Sequence, residues 1–68
     1  SMIVTINGVK KEIPENIRTV ERLLEHLQVQ DKKLVVEMNG EILSKDQHGQ
    51  FRLKSGDVLE IVHFVGGG

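Results

Sequence analysis

The residues best suited to chemistry are three consecutive glycines at the end of the chain, Gly66, Gly67 and Gly68. Glycine has no Cβ, so such a segment can adopt backbone conformations closed to other residues and can approach a partner closely. Its last group is a carboxylate on an unhindered carbon. We therefore predict that Gly68 carries a reactive carboxylate, which Gly66 and Gly67 thread into the active sites of partner enzymes. A truncated or cloning-derived end is the alternative interpretation.

Chemistry at this carboxylate would need activation, because a carboxylate is anionic and has a poor leaving group. An enzyme could convert it to an acyl-adenylate, for which ATP is the natural source. Attack by a sulfur donor would then leave a terminal thiocarboxylate. The sequence contains no cysteine, which excludes a side-chain thiolate or persulfide within the chain. The lack of cysteine is compatible with sulfur chemistry at the terminus but does not require it.

Histidine is the other residue type that could do chemistry, and it occurs at positions 26, 48 and 63. His26 is predicted on a helix, His48 in a loop and His63 on a strand, with no ligand spacing among them. We expect no metal site. His63 could carry a proton near the tail, although a structural role is the simpler interpretation for a strand histidine beside the core.

Length and composition limit the classes of function. At 68 residues the chain is expected to form a single domain with one thin core, too small for the deep cleft of a self-contained enzyme. Nine Lys and Arg face ten Asp and Glu, and the only aromatic residues are Phe51 and Phe64. Neither a basic surface nor stacking platforms are available, so nucleic-acid binding is not expected.

No segment of the sequence predicts targeting or membrane insertion. Ser1 before Met2 looks like the remnant of a cleaved tag, and no basic segment followed by an apolar run is present near it. The longest apolar run is far shorter than the ~20 residues of a spanning helix. We expect a cytoplasmic protein.

The first half of the chain predicts a hairpin followed by a helix. Residues 3–6 are β-branched throughout and precede Asn7-Gly8, the dipeptide suited to a type I′ turn, after which residues 9–13 return as a second strand. Thr19 can cap a helix whose apolar residues recur at three-and-four spacing. These core positions are Val20, Leu23, Leu24 and Leu27.

The second half predicts short strands. Residues 34–38 form a third strand, Asn39-Gly40 a second turn, and residues 42–43 a short apolar pair. Residues 44–50 are predicted as a loop, 51–53 as a possible short strand and 58–65 as the last strand. The layout is α+β, a mixed sheet of four to five strands with one main helix packed on one face. Residues 1–65 would form this domain, and residues 66–68 a flexible tail.

Alternation along the strands predicts which side chains face the helix. If Glu60 faces water, Leu59 and Ile61 face the helix, whereas Val62 and Phe64 share the solvent face. Thr5 places Ile3 on that same face. If the first and last strands are neighbours, Ile3, Val62 and Phe64 would form an uncovered apolar patch for docking a partner. In the alternative, Phe64 packs over the sheet edge or a loop.

Three segments carry a resemblance to a known family. They are the ending Val62-His63-Phe64-Val65-Gly66-Gly67-Gly68, the opening Ile3-Val4-Thr5-Ile6-Asn7-Gly8 and the helix with Leu23-Leu24. Together they resemble the ThiS-type sulfur carriers of thiamine thiazole biosynthesis, across the whole chain from Met2. The resemblance implies the ubiquitin-like β-grasp fold, with the first and last strands adjacent at the centre of the sheet.

For function, the resemblance implies a protein cosubstrate and not an enzyme. A ThiF-type adenylating enzyme would consume ATP to adenylate Gly68, with no cofactor bound by the carrier itself. A cysteine desulfurase relay would supply sulfur, and a ThiG-type thiazole synthase would receive it from the thiocarboxylate. Gly67 and Gly68 match the di-glycine end of the family, whereas Gly66 is found in only part of it.

Other functions stay open at this point. A molybdopterin-pathway sulfur carrier shares the fold and the glycine ending. A ubiquitin-like modifier that forms isopeptide bonds, or an interaction module with an incidental tail, would also fit the sequence.

Overall fold

A computed structural model describes residues 1–65 of the chain. Five strands, one α-helix and one short 3₁₀ helix follow one another in this part. In chain order they are β1 (Met2–Ile6), β2 (Val9–Ile13), α1 (Val20–His26), β3 (Leu34–Met38), β4 (Glu41–Leu43), the 3₁₀ helix (Lys45–Gln47) and β5 (Val58–His63).

All five strands form one mixed sheet in the order β2-β1-β5-β3-β4. The first and last strands are parallel neighbours, and every other pair is antiparallel. The α-helix covers one face of the sheet, and its buried residues Val20, Leu23 and Leu24 belong to the core. The predicted α+β class and the central pairing of β1 with β5 are confirmed.

Both predicted Asn-Gly turns are present, and both have left-handed backbone. Asn7 and Gly8 have φ of 51° and 83°, and Asn39 and Gly40 have φ of 52° and 85°. Positive φ at both central residues is the property of a type I′ turn, whose twist matches that of the flanking strands. Each turn joins an antiparallel pair, β1 to β2 and β3 to β4.

The helix begins as predicted but is short. The Thr19 hydroxyl accepts a hydrogen bond from the backbone N–H of Arg22 at 3.2 Å, so it satisfies a donor that the first helical turn leaves free. The helix ends at His26, and Gln28 follows with φ of 63°. Leu27 is therefore only half-buried at the end of the apolar stripe.

Three details of the second half differ from prediction. Residues 51–53 do not form a strand, since a single bridge joins Thr19 to Arg52. The predicted loop contains the 3₁₀ helix Lys45–Gln47, whose start is stabilised by a capping box between Ser44 and Gln47. The last strand ends at His63, two residues before the predicted end.

The core lies between the helix and the inner face of the sheet. Its side chains come from every α and β element and from the loops that contain Ile17 and Leu53. The buried apolar residues are Met2, Val4, Ile6, Ile13, Ile17, Val20, Leu23, Leu24, Val36, Met38, Leu43, Leu53 and Leu59. Among residues 1–65, no helix is long and apolar enough to cross a bilayer.

Candidate functional site

The predicted reactive residue Gly68 and the threading residues Gly66 and Gly67 lie outside the described residues. What the structure shows is the platform that carries them. The central strand β5 lies between β1 and β3 and leads directly toward the C-terminus. The Phe64 N–H still donates to the Lys33 carbonyl at 2.9 Å, whereas Val65 is 84% exposed. The sheet therefore holds the backbone up to Phe64 and releases it into solvent at Val65.

The side chain of Asn7 extends the contact between β1 and β5 beyond the end of β1. Its Nδ2 donates to the Ile61 carbonyl at 3.1 Å, and its Oδ1 accepts from the Ile61 N–H at 2.7 Å. A carboxamide has one donor side and one acceptor side, like a peptide group. Asn7 thus takes the place of a missing ladder residue and holds β5 only a few residues before the tail.

A second asparagine holds the start of β5. The Asn39 Oδ1 accepts from the Val58 N–H at 2.9 Å, and its Nδ2 donates to Asp57 Oδ1 at 3.0 Å. Both turn asparagines therefore bond to β5, one from each neighbouring strand. Sequence reasoning assigned them only to turns. The signal available for the second role was that Asn, and not Gly or Asp, occupies the first central position of both turns.

Asp57 is a buried carboxylate that fixes the turn entering β5, and its residue is 1% exposed. It accepts from the Lys54 N–H at 2.8 Å and from Lys54 Nζ at 2.8 Å, besides Asn39. Burial by itself would raise the pKa of this carboxyl. The hydrogen bonds and the positive charge of Lys54 outweigh burial, so the pKa of Asp57 lies below its ordinary value.

The predicted orientation is confirmed for side chains within β1 and β5. Val4 and Leu59 are fully buried, whereas Ile3 is 50% exposed and Val62 is 52% exposed. The helix covers only the inner face of the sheet, so the outer face of β1 and β5 is open to partners.

The register does not bring Ile3 and Val62 together, so the predicted single patch is wrong. Thr5 pairs with Val58, and the Gly56 N–H donates to the Ile3 carbonyl at 2.8 Å. Ile3 is thus level with Gly56, six positions before Val62, or about 20 Å at ~3.3 Å per residue. The patch splits into two groups on the outer face.

Each group has its own apolar neighbour. Val58, which is 46% exposed, pairs with Thr5 and is a diagonal neighbour of Ile3 on the outer face. Val62 lies directly opposite Val35 on β3.

Phe64 contributes to a different surface from the one predicted. It is 58% exposed and lines an open cleft of about 770 Å³ on the helix side of the sheet, together with Leu24, Leu34 and His48. Phe64 follows the last residue of β5, His63, so the alternation of side chains along a strand does not determine where the Phe64 side chain points. The alternative interpretation, in which Phe64 packs over a sheet edge or a loop, describes this position better than the shared outer face does.

The three histidines lie apart and have different surroundings. His26 and His63 are exposed, on α1 and at the end of β5, whereas His48 is buried beside the start of the helix. The His48 carbonyl accepts the Glu21 N–H at 2.9 Å. Burial lowers the pKa of His48, and the nearby Glu21 carboxylate opposes that effect in part. Within residues 1–65, no three His, Asp or Glu side chains are grouped as metal ligands.

Comparison with known proteins identifies relatives over almost the whole chain. The sequence model of the ThiS family matches residues 4–68. The sulfur carrier protein ThiS of Bacillus subtilis is 38% identical over 66 residues, which cover 97% of this chain and all of that protein. A thiazole synthase of Paramagnetospirillum magneticum is 43% identical over 67 residues, but this chain spans only 20% of it.

Solved structures agree with the sequence comparisons. The crystal structure of a thiamine biosynthesis protein (ThiS) from Geobacter metallireducens superposes with a TM-score of 0.82 at 35% identity, covering 98% of this chain and all of that one. A solution structure of a thiamine biosynthesis protein from the same organism gives a TM-score of 0.79 at 35% identity, covering 98% of this chain and 88% of that one. Both share the five-stranded sheet and single helix, which is the ubiquitin-like β-grasp fold.

Proposed function

The chain belongs to the ThiS family and is a sulfur carrier protein, and from this premise we propose that Gly68 is the residue that holds the sulfur. Family membership makes the chain a protein cosubstrate and not a catalyst. The relatives named thiazole synthase favour the thiamine pathway over the molybdopterin pathway.

The proposed reaction begins with the terminal carboxylate. A ThiF-type enzyme joins it to the AMP portion of ATP with release of pyrophosphate. A persulfide supplied by a cysteine desulfurase relay then displaces AMP and forms an acyl disulfide. A thiol of a partner protein cleaves the S–S bond, which leaves the terminal thiocarboxylate on the carrier and a disulfide on the partner side. The resulting thiocarboxylate is a nucleophile, which a ThiG-type thiazole synthase uses with deoxyxylulose phosphate and a glycine-derived imine. ATP is consumed by the partner and is not bound by the carrier. We place these steps in the cytoplasm, where ATP is available.

One observation supports this proposal most directly. The central strand is held by β1 and the Asn7 side chain up to Ile61, and by β3 and the Lys33 carbonyl up to Phe64, and the chain leaves the sheet at Val65. A rigid base followed by three glycines suits a terminus that must enter a narrow site, because the glycines lack side chains that would obstruct entry. The folded domain would then identify the carrier to its partners.

Val62 and Phe64 are the proposed docking residues nearest the tail. They lie on different sides of the sheet, so they would contact different parts of a partner, or different partners. Ile3 lies too far from Val62 to share one contact point and would dock with Val58. Gly66 and Gly67 are proposed to thread through the partner's channel.

The test is intact mass spectrometry after incubation with ATP, a ThiF-type adenylating enzyme and a sulfur source. We expect a mass increase equal to replacement of one oxygen by sulfur, and thiazole formation when thiazole synthase and its substrates are added. High-mass conjugates would instead identify a protein modifier. No mass change with an adenylating enzyme that modifies a known carrier in parallel would contradict the proposed function.

A further inference from the structure

Two glutamates lie directly opposite each other at the centre of the uncovered sheet face. Glu37 on β3 pairs with Glu60 on β5. Their sequence neighbours Val36, Met38 and Leu59 are buried on the helix side, so both glutamate side chains point outward. Like charges in directly opposed positions destabilise a sheet. The pair is therefore a local cost to the fold.

Nothing in the described chain neutralises this pair. The ion pairs among residues 1–65 involve other acidic residues, namely Glu15, Glu25 and Asp57. Glu37 is only half-exposed, so solvent screens it less than a fully exposed carboxylate. A cation that comes from outside the chain would remove the repulsion.

Apolar side chains surround the two carboxylates. Val62 and Val35 form the next outward pair along β5 and β3, and Ile42 lies beside Glu37 on β4. Ile42 is 67% exposed and Val62 is 52% exposed. A face that combines uncovered apolar side chains with an unneutralised acidic centre is complementary to a protein surface on which a cation is flanked by apolar residues.

We propose that thiazole synthase docks on this face and places a lysine or arginine side chain between Glu37 and Glu60. This inference rests on the proposed function. The choice of partner is supported by the Paramagnetospirillum magneticum thiazole synthase, in which a segment 43% identical to this chain is part of the same protein. The ion pair between the partner's cation and the two glutamates would increase the specificity and the association rate of the complex. Most of the contact area would be apolar.

The experiment measures binding of the full chain to purified thiazole synthase by isothermal titration calorimetry at low and at moderate salt. Glu37→Gln and Glu60→Gln should each weaken binding by about tenfold at low salt and reduce its dependence on salt. Glu41→Gln is the matched control, because Glu41 pairs with the buried Met38 and so belongs to the opposite face.

Thermal unfolding of the same variants supplies a second measurement. Removing one of two opposed charges should raise the melting temperature by about 1–6 °C, so the two substitutions should improve the fold while weakening the complex. Equal affinities of wild type, Glu37→Gln and Glu60→Gln, or an equal loss in Glu41→Gln, would overturn the inference and leave the proposed function intact. Lack of binding by the wild-type chain would instead contradict the proposed partnership itself.

Discussion

At the scale of single residues, the position of the last strand depends on a few polar side chains. Asn7 and Asn39 bond to β5 from its two neighbouring strands, and Asp57 fixes the turn that leads into it. Each asparagine adopts positive φ, which Asn tolerates better than most residues. Each of the two asparagines therefore both forms a turn and anchors β5.

We predict that Asn7→Gly destabilises the fold by about 1–3 kcal/mol, because two hydrogen bonds to Ile61 are lost while the positive φ stays accessible. Asn7→Asp keeps the acceptor for the Ile61 N–H but sets a carboxylate oxygen against the Ile61 carbonyl, so it should also lose stability. Urea unfolding measures both. Asn16→Ala, at an exposed position in the loop after β2, is the control. A loss in Asn7→Gly no larger than that of Asn16→Ala would show that the side-chain bonds contribute nothing.

The pH dependence of stability is predicted to have two separate contributions. The folded-state pKa of Asp57 is lowered, so its stabilisation is complete above the unfolded value of about 3.9 and is lost as pH falls through the folded pKa. The folded-state pKa of His48 is also lowered. Below about 6.5 the unfolded chain binds a proton that the folded chain does not, so stability decreases as pH falls from there to the folded pKa.

Urea unfolding of wild type, His48→Gln and Asp57→Asn between neutral and strongly acidic pH checks this. His48→Gln should remove the decrease that begins near pH 6.5. The stability difference between wild type and Asp57→Asn should shrink only at the most acidic end. A His48→Gln curve parallel to that of the wild type throughout would contradict the role assigned to this histidine.

At the scale of elements, strand register determines which exposed side chains can act together. Alternation correctly assigned Ile3 and Val62 to the outer face, but the parallel pairing of β1 with β5 places them at opposite ends of the sheet. Alternation is a property of one strand and can be read locally. Register depends on how two distant segments align, which a single sequence does not specify.

We predict that Ile3→Ala and Val62→Ala have additive effects on stability, because side chains about 20 Å apart share no contacts. Val35→Ala and Val62→Ala should show a measurable coupling, since these residues are directly opposed on β3 and β5. Double-mutant cycles in urea give both values. Coupling between Ile3 and Val62 as large as that between Val35 and Val62 would mean that the register is different.

At the scale of the whole molecule, the proposed function assigns recognition to the folded domain and sulfur transfer to the terminal glycines. The core draws on residues from Met2 to Leu59, and the sheet holds the backbone up to Phe64. The chemistry proposed for Gly68 would therefore need no contribution from the core except a stable base. Recognition would come from the outer sheet face and from the cleft beside Phe64.

Deletion of Gly67 and Gly68 is predicted to abolish thiocarboxylate formation while changing the melting temperature by less than about 2 °C, because terminal residues contribute few contacts to a fold. Mass spectrometry and thermal unfolding measure the two properties on one sample. Deletion of Ser1 serves as the control at the other terminus. A large drop in melting temperature in the Gly67-Gly68 deletion would assign the tail a structural role.

Local features of the sequence alone determined much of this protein. Asn-Gly turns, strand alternation, the Thr19 cap and the leucine spacing act between residues close in the chain, so they predicted the elements and their buried faces. The glycine ending and the family resemblance predicted the chemistry.

Only the tertiary structure decided which distant residues meet. It joined Asn7 to Ile61, separated Ile3 from Val62, turned Phe64 toward the helix side and set Glu37 opposite Glu60. These relations depend on the pairing of strands far apart in sequence. Such pairing is determined by the packing of the whole core, so a local sequence pattern does not predict it.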